Sequence, residues 1–181
     1  MKKFVKILSM VFALSLTFTI FGCNLGVSHK NPTADSYFNF TLLGDDTYSI
    51  SVKDKNDLPS QIILPSTYQG KEITTIDLYG FAGTSITKIS MPSGYKVIGG
   101  YAFENCNKLA TIEWSDTLET IEQGAFSGCT GLYNTIILPK SVLTISARAF
   151  ELCTNLSVID INANCVYQAD SFESTTTINK I

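Results

Sequence analysis

A phenylalanine recurs at a nearly constant interval through the second half of this sequence, and this recurrence limits the possible folds more than any other feature. The residues are Phe81, Phe103, Phe126, Phe150 and Phe172, separated by 22, 23, 24 and 22 positions. A period in the twenties is typical of solenoids, in which each repeat forms one coil that buries its apolar face only against neighbouring coils. The sequence therefore predicts a β-rich repeat solenoid with about five coils of 22–24 residues. This architecture argues against an enzyme with a single catalytic cleft.

Apolar residues fill further columns when the coils are aligned on the phenylalanine. Isoleucine stands five positions before four of the five rings. After each ring, apolar and outward-facing residues alternate, as in Ile112-Glu113-Trp114, which is the pattern of a strand with one buried face. We expect short parallel strands and a short helical or 3₁₀ turn at each phenylalanine, stacked around a continuous dry core.

One coil is longer than the coil before it. The 24-residue interval that ends at Phe150 contains an extra residue near Tyr133 and Asn134. The apolar columns continue on both sides of this point. The pattern therefore predicts a β-bulge that leaves the inward rows intact.

These columns resemble the BspA-like leucine-rich repeats of bacterial surface proteins. The clearest matches are CNKLATIEW followed by LETIEQGAFSGC, and ILPKSVLTISARAFELCTNL. The resemblance extends from about Tyr37 to the C-terminus, and Thr84 and Thr175 replace the repeated cysteine in the first and last coils. It implies a non-enzymatic module for protein–protein interaction or adhesion, with a host or matrix protein as the implied partner.

The N-terminus has the composition of a bacterial export signal. Three lysines precede an apolar run from Ile7 to Phe21, which is shorter than a typical membrane-spanning helix. The pair Gly22-Cys23 resembles the lipobox of bacterial lipoproteins, which implies that Cys23 becomes the lipidated N-terminus of the mature chain. Cleavage there removes three lysines and no acidic residue, so the formal net charge changes from −3 to −6. An acidic chain without a basic cluster argues against nucleic acid as a partner.

These features divide the chain into four segments. Residues 1–22 are predicted to form the lipoprotein signal peptide, and residues 23–36 a tether that begins at the lipidated Cys23. Residues 37–60 are predicted to form a β-hairpin cap, because two alternating apolar stretches flank Gly44-Asp45-Asp46. Residues 61–181 are predicted to form the leucine-rich repeat solenoid, whose first coil the cap would cover.

Residues with catalytic or metal-binding chemistry do not form a recognisable motif. The only histidine, His29, lies in the tether, and the four cysteines beyond the lipidated one lack the spacing of a zinc site. Cys106, Cys129 and Cys153 share one column and are expected to form a buried stack of free thiols, whereas Cys165 is out of phase. We therefore expect no cofactor and no metal. A pair of carboxylates acting on glycans stays open as an alternative.

The outward positions of the strands offer the surface on which a partner would bind. Glu113 and Ile137 lie on consecutive coils and are expected next to each other on one sheet face. The predicted partner-binding face consists of Ile63, Lys88, Ser90, Thr111, Glu113, Thr135, Ile137, Val158 and Asp160.

Three functions agree with these observations. The first is an exported lipoprotein of the cell membrane or outer membrane, displayed on the cell surface, that binds a protein partner. The second is a structural scaffold lipoprotein of the envelope that never contacts a host. The third is a glycan-binding accessory protein.

Overall fold

The computed structural model describes residues 31–181, which begin with a single 3₁₀ turn, Asp35–Tyr37, and continue as short strands. The predicted signal peptide, Cys23 and most of the tether lie outside the described residues. Within the described range, no helix is long and apolar enough to cross a membrane. The strands are β1 Phe38–Leu42, β2 Tyr48–Val52, β3 Gln61–Ile63, β4 Thr67–Tyr68, β5 Lys71–Ile76, β6 Lys88–Ser90, β7 Val97–Ile98, β8 Thr111–Glu113, β9 Thr120–Ile121, β10 Asn134–Ile137, β11 Thr144–Ile145, β12 Leu156–Ile161, β13 Val166–Tyr167 and β14 Thr177–Lys180.

The strands form one long sheet and two short sheets. The long sheet has the order β1-β2-β5-β7-β9-β11-β13, with β4 paired to β5. The first short sheet is β3-β6-β8 and the second short sheet is β10-β12-β14. From β5 onward each coil adds one parallel strand to the long sheet, and the strands within each short sheet are also parallel. The predicted β-solenoid is therefore confirmed.

The N-terminal hairpin covers the first coil. Strands β1 and β2 pair antiparallel with Phe38 opposite Val52. Strand β2 also pairs in parallel with β5, which joins the hairpin to the rest of the long sheet. The buried Phe38 ring lies 6.2 Å from the Phe81 ring, at the end of the phenylalanine row. On the other side of the coil, the Thr33 N–H donates to the Ile63 carbonyl oxygen (2.8 Å), and the Ile63 N–H donates to Thr33 Oγ1 (3.0 Å). The hairpin thus covers the end of the phenylalanine row, and Thr33 occupies hydrogen-bonding positions at the outer edge of β3.

The recurring phenylalanines form one continuous stack through the core. Ring centroids of consecutive coils lie 5.1–5.6 Å apart with interplanar angles of 8–24°. All five rings are buried, and Phe172 in the last coil is the most exposed of them at 8%. The ring separations are slightly larger than the spacing of about 4.8 Å between neighbouring strands, and both follow the rise of one coil.

The turns that carry these rings differ from the predicted helical or 3₁₀ turns. The Ala82 N–H donates to the Tyr79 carbonyl oxygen within its own turn (3.1 Å). The Phe81 N–H instead donates to the Ala102 carbonyl oxygen in the next coil (2.7 Å). Alternate donors therefore point along the stack, which a helix does not allow. Left-handed backbone recurs two positions before and after the ring, at Tyr79, Gly83, Tyr101, Asn105, Gly124, Gly128, Arg148 and Leu152.

The stacked cysteines pack as free, buried thiols. The Cys106 thiol lies 3.1 Å from the Phe81 carbonyl oxygen of the preceding coil, to which it donates. Cys129 and Cys153 repeat this contact one and two coils later, at 3.0 and 3.1 Å. Each thiol thus ties its coil to the phenylalanine turn before it.

Cys165 replaces the expected apolar residue of a different column. Its N–H donates to the Asn162 carbonyl oxygen (2.9 Å), as the Val142 N–H donates to Pro139 (3.0 Å) in the coil before. Cys165 and Val142 are both buried. The column that Asn164 interrupts in the sequence is therefore continued by Cys165, one position later.

We expect the thiols of the described chain to be unreactive in the native protein. All four side chains are buried, which blocks access of a reagent, and burial raises the pKa of the Cys153 thiol to about 12, so the thiolate of Cys153 stays scarce in the neutral and mildly alkaline range. The measurement is labelling by a thiol reagent in a Cys23→Ser variant, with four thiols expected to react only after denaturation. Fast labelling of a native Cys106, Cys129 or Cys153 would contradict the buried stack.

Candidate functional site

The predicted outward columns lie on the two short sheets, with unequal exposure. The Glu113 carboxylate binds both Lys88 and the hydroxyl of Ser90, and Ser90 is buried beneath it. The exposed members are Thr111, Glu113, Thr135 and Ile137, whereas Ile63, Lys88, Val158 and Asp160 are half-buried.

The expectation that Glu113 and Ile137 lie side by side in one sheet was wrong. Glu113 ends β8, the last strand of the first short sheet, and Ile137 ends β10, the first strand of the second. No ladder joins β8 to β10 in the described chain. We call this gap between β8 and β10 the split.

A hydrogen bond that recurs between coils is missing at the split. In three other places the residue after a strand donates its N–H to the outward residue of the next coil. These bonds join Leu64 to Ser90 (2.9 Å), Met91 to Glu113 (2.8 Å) and Leu138 to Asp160 (2.9 Å). The equivalent bond from Trp114 to Ile137 does not occur among residues 31–181.

The coil that contains the extra residue is irregular next to the split. The pairing of β10 with β12 shifts register between Asn134 and Thr135, and Asn134 has a φ of 59°. The predicted bulge is therefore present. Trp114 also stands in the column that Met91 and Leu138 occupy in neighbouring coils, and its side chain is larger than either of theirs.

The split opens the core to solvent. Ile112 and Ile136 are only half-buried, although Ile89 and Ile159 in the same inward column are fully buried. Trp114 is also half-buried, whereas Met91 and Leu138 in its column are buried. The Trp114 ring packs edge-on against the Phe126 ring of the main stack, with centroids 5.6 Å apart. The inward rows of phenylalanine and cysteine thus continue past the bulge as expected, whereas the strand row that contains Ile112 and Ile136 becomes partly exposed there.

A cavity of about 330 Å³ occupies the split. Its floor contains the indole of Trp114, and its rim includes Tyr133 and Ile137, which are 58% and 61% exposed. No residue that lines it is charged. A concave site of this size, lined mainly by apolar and aromatic residues, is suited to binding a few side chains.

A second, more polar hollow of about 530 Å³ lies beside the long sheet. Tyr101, Glu122, Gln123 and Gln168 contribute to its wall. The Tyr101 ring stacks on Tyr79 at 5.2 Å, and its hydroxyl accepts a hydrogen bond from Gln123 (3.0 Å). The described residues contain no group of histidine, cysteine or acidic side chains suited to a metal ion.

Trp114 and Tyr133 were not among the residues that the sequence indicated for binding. Two signals marked them: the single 24-residue interval, and the only tryptophan of the chain in a column of smaller residues. The interval predicts a bulge and the apolar column predicts a core residue, because a periodic pattern does not reveal whether an insertion is absorbed or separates two strands.

A family model for the BspA type leucine rich repeat region matches residues 74–181 with six copies, where the phenylalanine alignment had predicted about five coils. No match was found among curated protein sequences.

Several solved structures share the fold. A leucine-rich repeat protein of T. pallidum superposes with a TM-score of 0.61 at 24% identity, over 82% of this chain and 86% of that chain. A leucine-rich repeat protein of Bacteroides ovatus superposes with a TM-score of 0.68 at 26% identity, over 80% of this chain and 40% of that chain. A leucine rich cell surface protein of Faecalibacterium prausnitzii superposes with a TM-score of 0.66 at 22% identity, over 80% of this chain and 37% of that chain. With more than half of its length matched by the family model, this chain belongs to the BspA-type leucine-rich repeat family.

Proposed function

We propose that this chain is a lipoprotein anchored to the cell envelope, which binds a protein partner through the repeat surface around the split. The observation that carries the proposal is the opening of the core at the split, where apolar side chains are exposed in an otherwise closed solenoid. Exposed apolar side chains that surround a concave site are typical of protein-binding surfaces. The absence of charge from the lining favours binding over catalysis.

The anchor is proposed from the sequence around Cys23. Thr33 is fixed to the edge of β3, and the ten residues from Cys23 to Thr33 span at most about 35 Å when extended. A lipid on Cys23 would therefore hold the first coil within this distance of the bilayer. A structurally similar protein is described as a cell surface protein, which supports display outside the cell.

Replacing Cys23 with alanine is expected to abolish membrane association. The thioether to the lipid forms at this sulfur, and the described residues contain no helix that would substitute for the lipid. The measurement is fractionation of cell extracts, with Ser28→Ala as the control that leaves the thiol in place. If the Cys23 variant remained in the membrane fraction, another element would have to anchor the protein.

Binding through the split is tested by substituting its rim. Ile137→Asp places a charge beside the apolar cavity and is expected to weaken partner binding at least tenfold, because apolar contacts at the centre of an interface dominate its affinity. The matched control is Val166→Asp, which changes an exposed β-branched residue of β13 in the long sheet. The partner is first captured from envelope or extracellular fractions with the parent protein, and affinities and melting temperatures of both variants are then measured. Equal affinity of a folded Ile137→Asp variant would place the binding surface elsewhere.

The two other functions predict different results. A scaffold lipoprotein inside the envelope would resist protease on intact cells, whereas a displayed protein would be cleaved. A glycan-binding protein would use the hollow beside Tyr101, so a glycan panel would detect binding that Gln168→Ala weakens and Ile137→Asp does not.

A further inference from the structure

The backbone at the split has free hydrogen-bonding positions of known direction. The Thr111 N–H donates to Thr87 (3.2 Å), and the Glu113 carbonyl oxygen accepts from Met91 (2.8 Å), so both residues face β6. Because the polar groups of successive strand residues point to opposite edges, the N–H and C=O of Ile112 point into the split. The described chain offers them no strand as a partner.

The opposite wall of the split has the same character. The Leu138 N–H donates to Asp160 of β12 (2.9 Å), so the N–H and C=O of its neighbour Ile137 point back towards β8. The register shift at Asn134 makes this edge irregular, whereas β8 pairs with β6 without a shift. The edge of β8 is therefore the better template for an additional strand.

The size and charge of the cavity define what can enter it. A volume of about 330 Å³ holds a few side chains. A second copy of this chain would need to bury roughly 800 Å² per partner to form a stable dimer, which a slot of this size does not provide. None of the lining side chains is charged, so a charged group of an occupant would be desolvated there without a partner.

We infer that the split binds a short, uncharged, extended peptide segment of the partner, which pairs as an added strand with the free edge of β8 and covers Trp114. An extended peptide backbone presents N–H and C=O groups at the spacing needed to pair with the Ile112 backbone and the Trp114 N–H. Apolar side chains of the peptide would cover the core residues that are partly exposed at the split. This inference rests on the proposed function, since it identifies the chemistry of the partner at the same site.

The test uses the only tryptophan of the chain as its reporter. The probes are three end-blocked, uncharged peptides that copy strands of this protein: residues 134–138 (NTIIL), 48–52 (YSISV) and 155–159 (NLSVI). At least one is expected to give a saturable blue shift of Trp114 emission and to slow the exchange of the Ile112 and Trp114 amide protons. The same peptide with alternate backbone nitrogens methylated keeps its side chains but loses backbone N–H hydrogen-bond donors. It is expected to bind the protein at least tenfold more weakly than the unmethylated peptide.

Deletion of Asn134 is the matched protein variant. It restores the 23-residue interval and is expected to close the ladder between β8 and β10, shift Trp114 emission to the blue without ligand, and abolish the peptide response. If the deletion variant does not fold, the methylated peptide and the amide exchange of the parent protein decide the question.

The results separate this inference from the proposed function. If a captured partner depends on Ile137 but no peptide shifts Trp114, or if the methylated peptide binds as well as its parent, the partner uses side chains alone and the added strand is refuted. If glycans shift Trp114 and peptides do not, the added strand and the protein partner at this site are both refuted.

Discussion

Replacing Phe126 with alanine is expected to lower the free energy of unfolding by about 3–5 kcal/mol, enough to unfold much of a marginally stable domain. Phe126 is fully buried in the middle of the ring stack, 5.1 Å from both Phe103 and Phe150. The Trp114 ring contacts it from the side. Removing the ring leaves a cavity in the interior of a coil, whose neighbours are held in place by the strand ladders and cannot move in to fill it. Denaturant unfolding of the variant and parent measures the difference.

The control for this prediction is Phe172→Ala in the last coil. Phe172 stacks on a single neighbour of the row, at 5.6 Å from Phe150, and retains 8% exposure. We expect its replacement to destabilise the protein by less than the Phe126 replacement, because only one side of the ring faces another coil. Equal losses at the two positions would contradict the register of coils described above.

Replacing Gly99 with alanine is the second large effect that we expect, at about 3 kcal/mol of destabilisation. A Cβ at this position would lie 2.5 Å from the Ile76 carbonyl oxygen and 3.0 Å from the Asp77 carbonyl carbon. Both are backbone atoms of the preceding coil, and the Gly99 N–H already donates to the same Ile76 oxygen (2.9 Å). The coils would have to separate locally to admit the methyl group. The melting temperature and denaturant midpoint measure the loss.

Gly44→Ala is the matched control for Gly99→Ala. Gly44 lies in the turn of the N-terminal hairpin, and a Cβ there would meet no heavy atom within 4 Å. We expect its stability to stay within about 0.5 kcal/mol of the parent. A Gly99 variant as stable as the Gly44 variant would show that the coils are not in close backbone contact at this point.

The sequence alone was sufficient to predict the solenoid, because its signal is repeated in every coil. A buried ring every 22–24 residues and an isoleucine five positions earlier can be satisfied together only if the coils stack in register. The turns at the rings were harder to predict. Their alternate N–H groups bond to the next coil, as Phe81 does to Ala102, so their conformation depends on a neighbour that local propensity does not include.

The split could not be predicted for a different reason. One inserted residue can be absorbed as a bulge with the ladder intact, or it can separate two strands, and the sequence pattern is the same in both cases. The left-handed backbone at Asn134 and the break in the ladder between β8 and β10 are evident only in the folded chain. Both are properties of the packed coils. The prediction of inward and outward columns was therefore sound within each short sheet and failed where the two short sheets meet.

Amide hydrogen exchange at Trp114 tests the central claim most directly, because that claim is a missing backbone hydrogen bond. The equivalent N–H groups of Met91 and Leu138 each donate to the next coil, at 2.8 and 2.9 Å. We predict that the Trp114 amide proton of the free protein exchanges at least about 100-fold faster than the amide protons of Met91 and Leu138. Protection of Trp114 equal to that of Met91 and Leu138 would show that the ladder continues from β8 to β10, and the account of the split would be wrong.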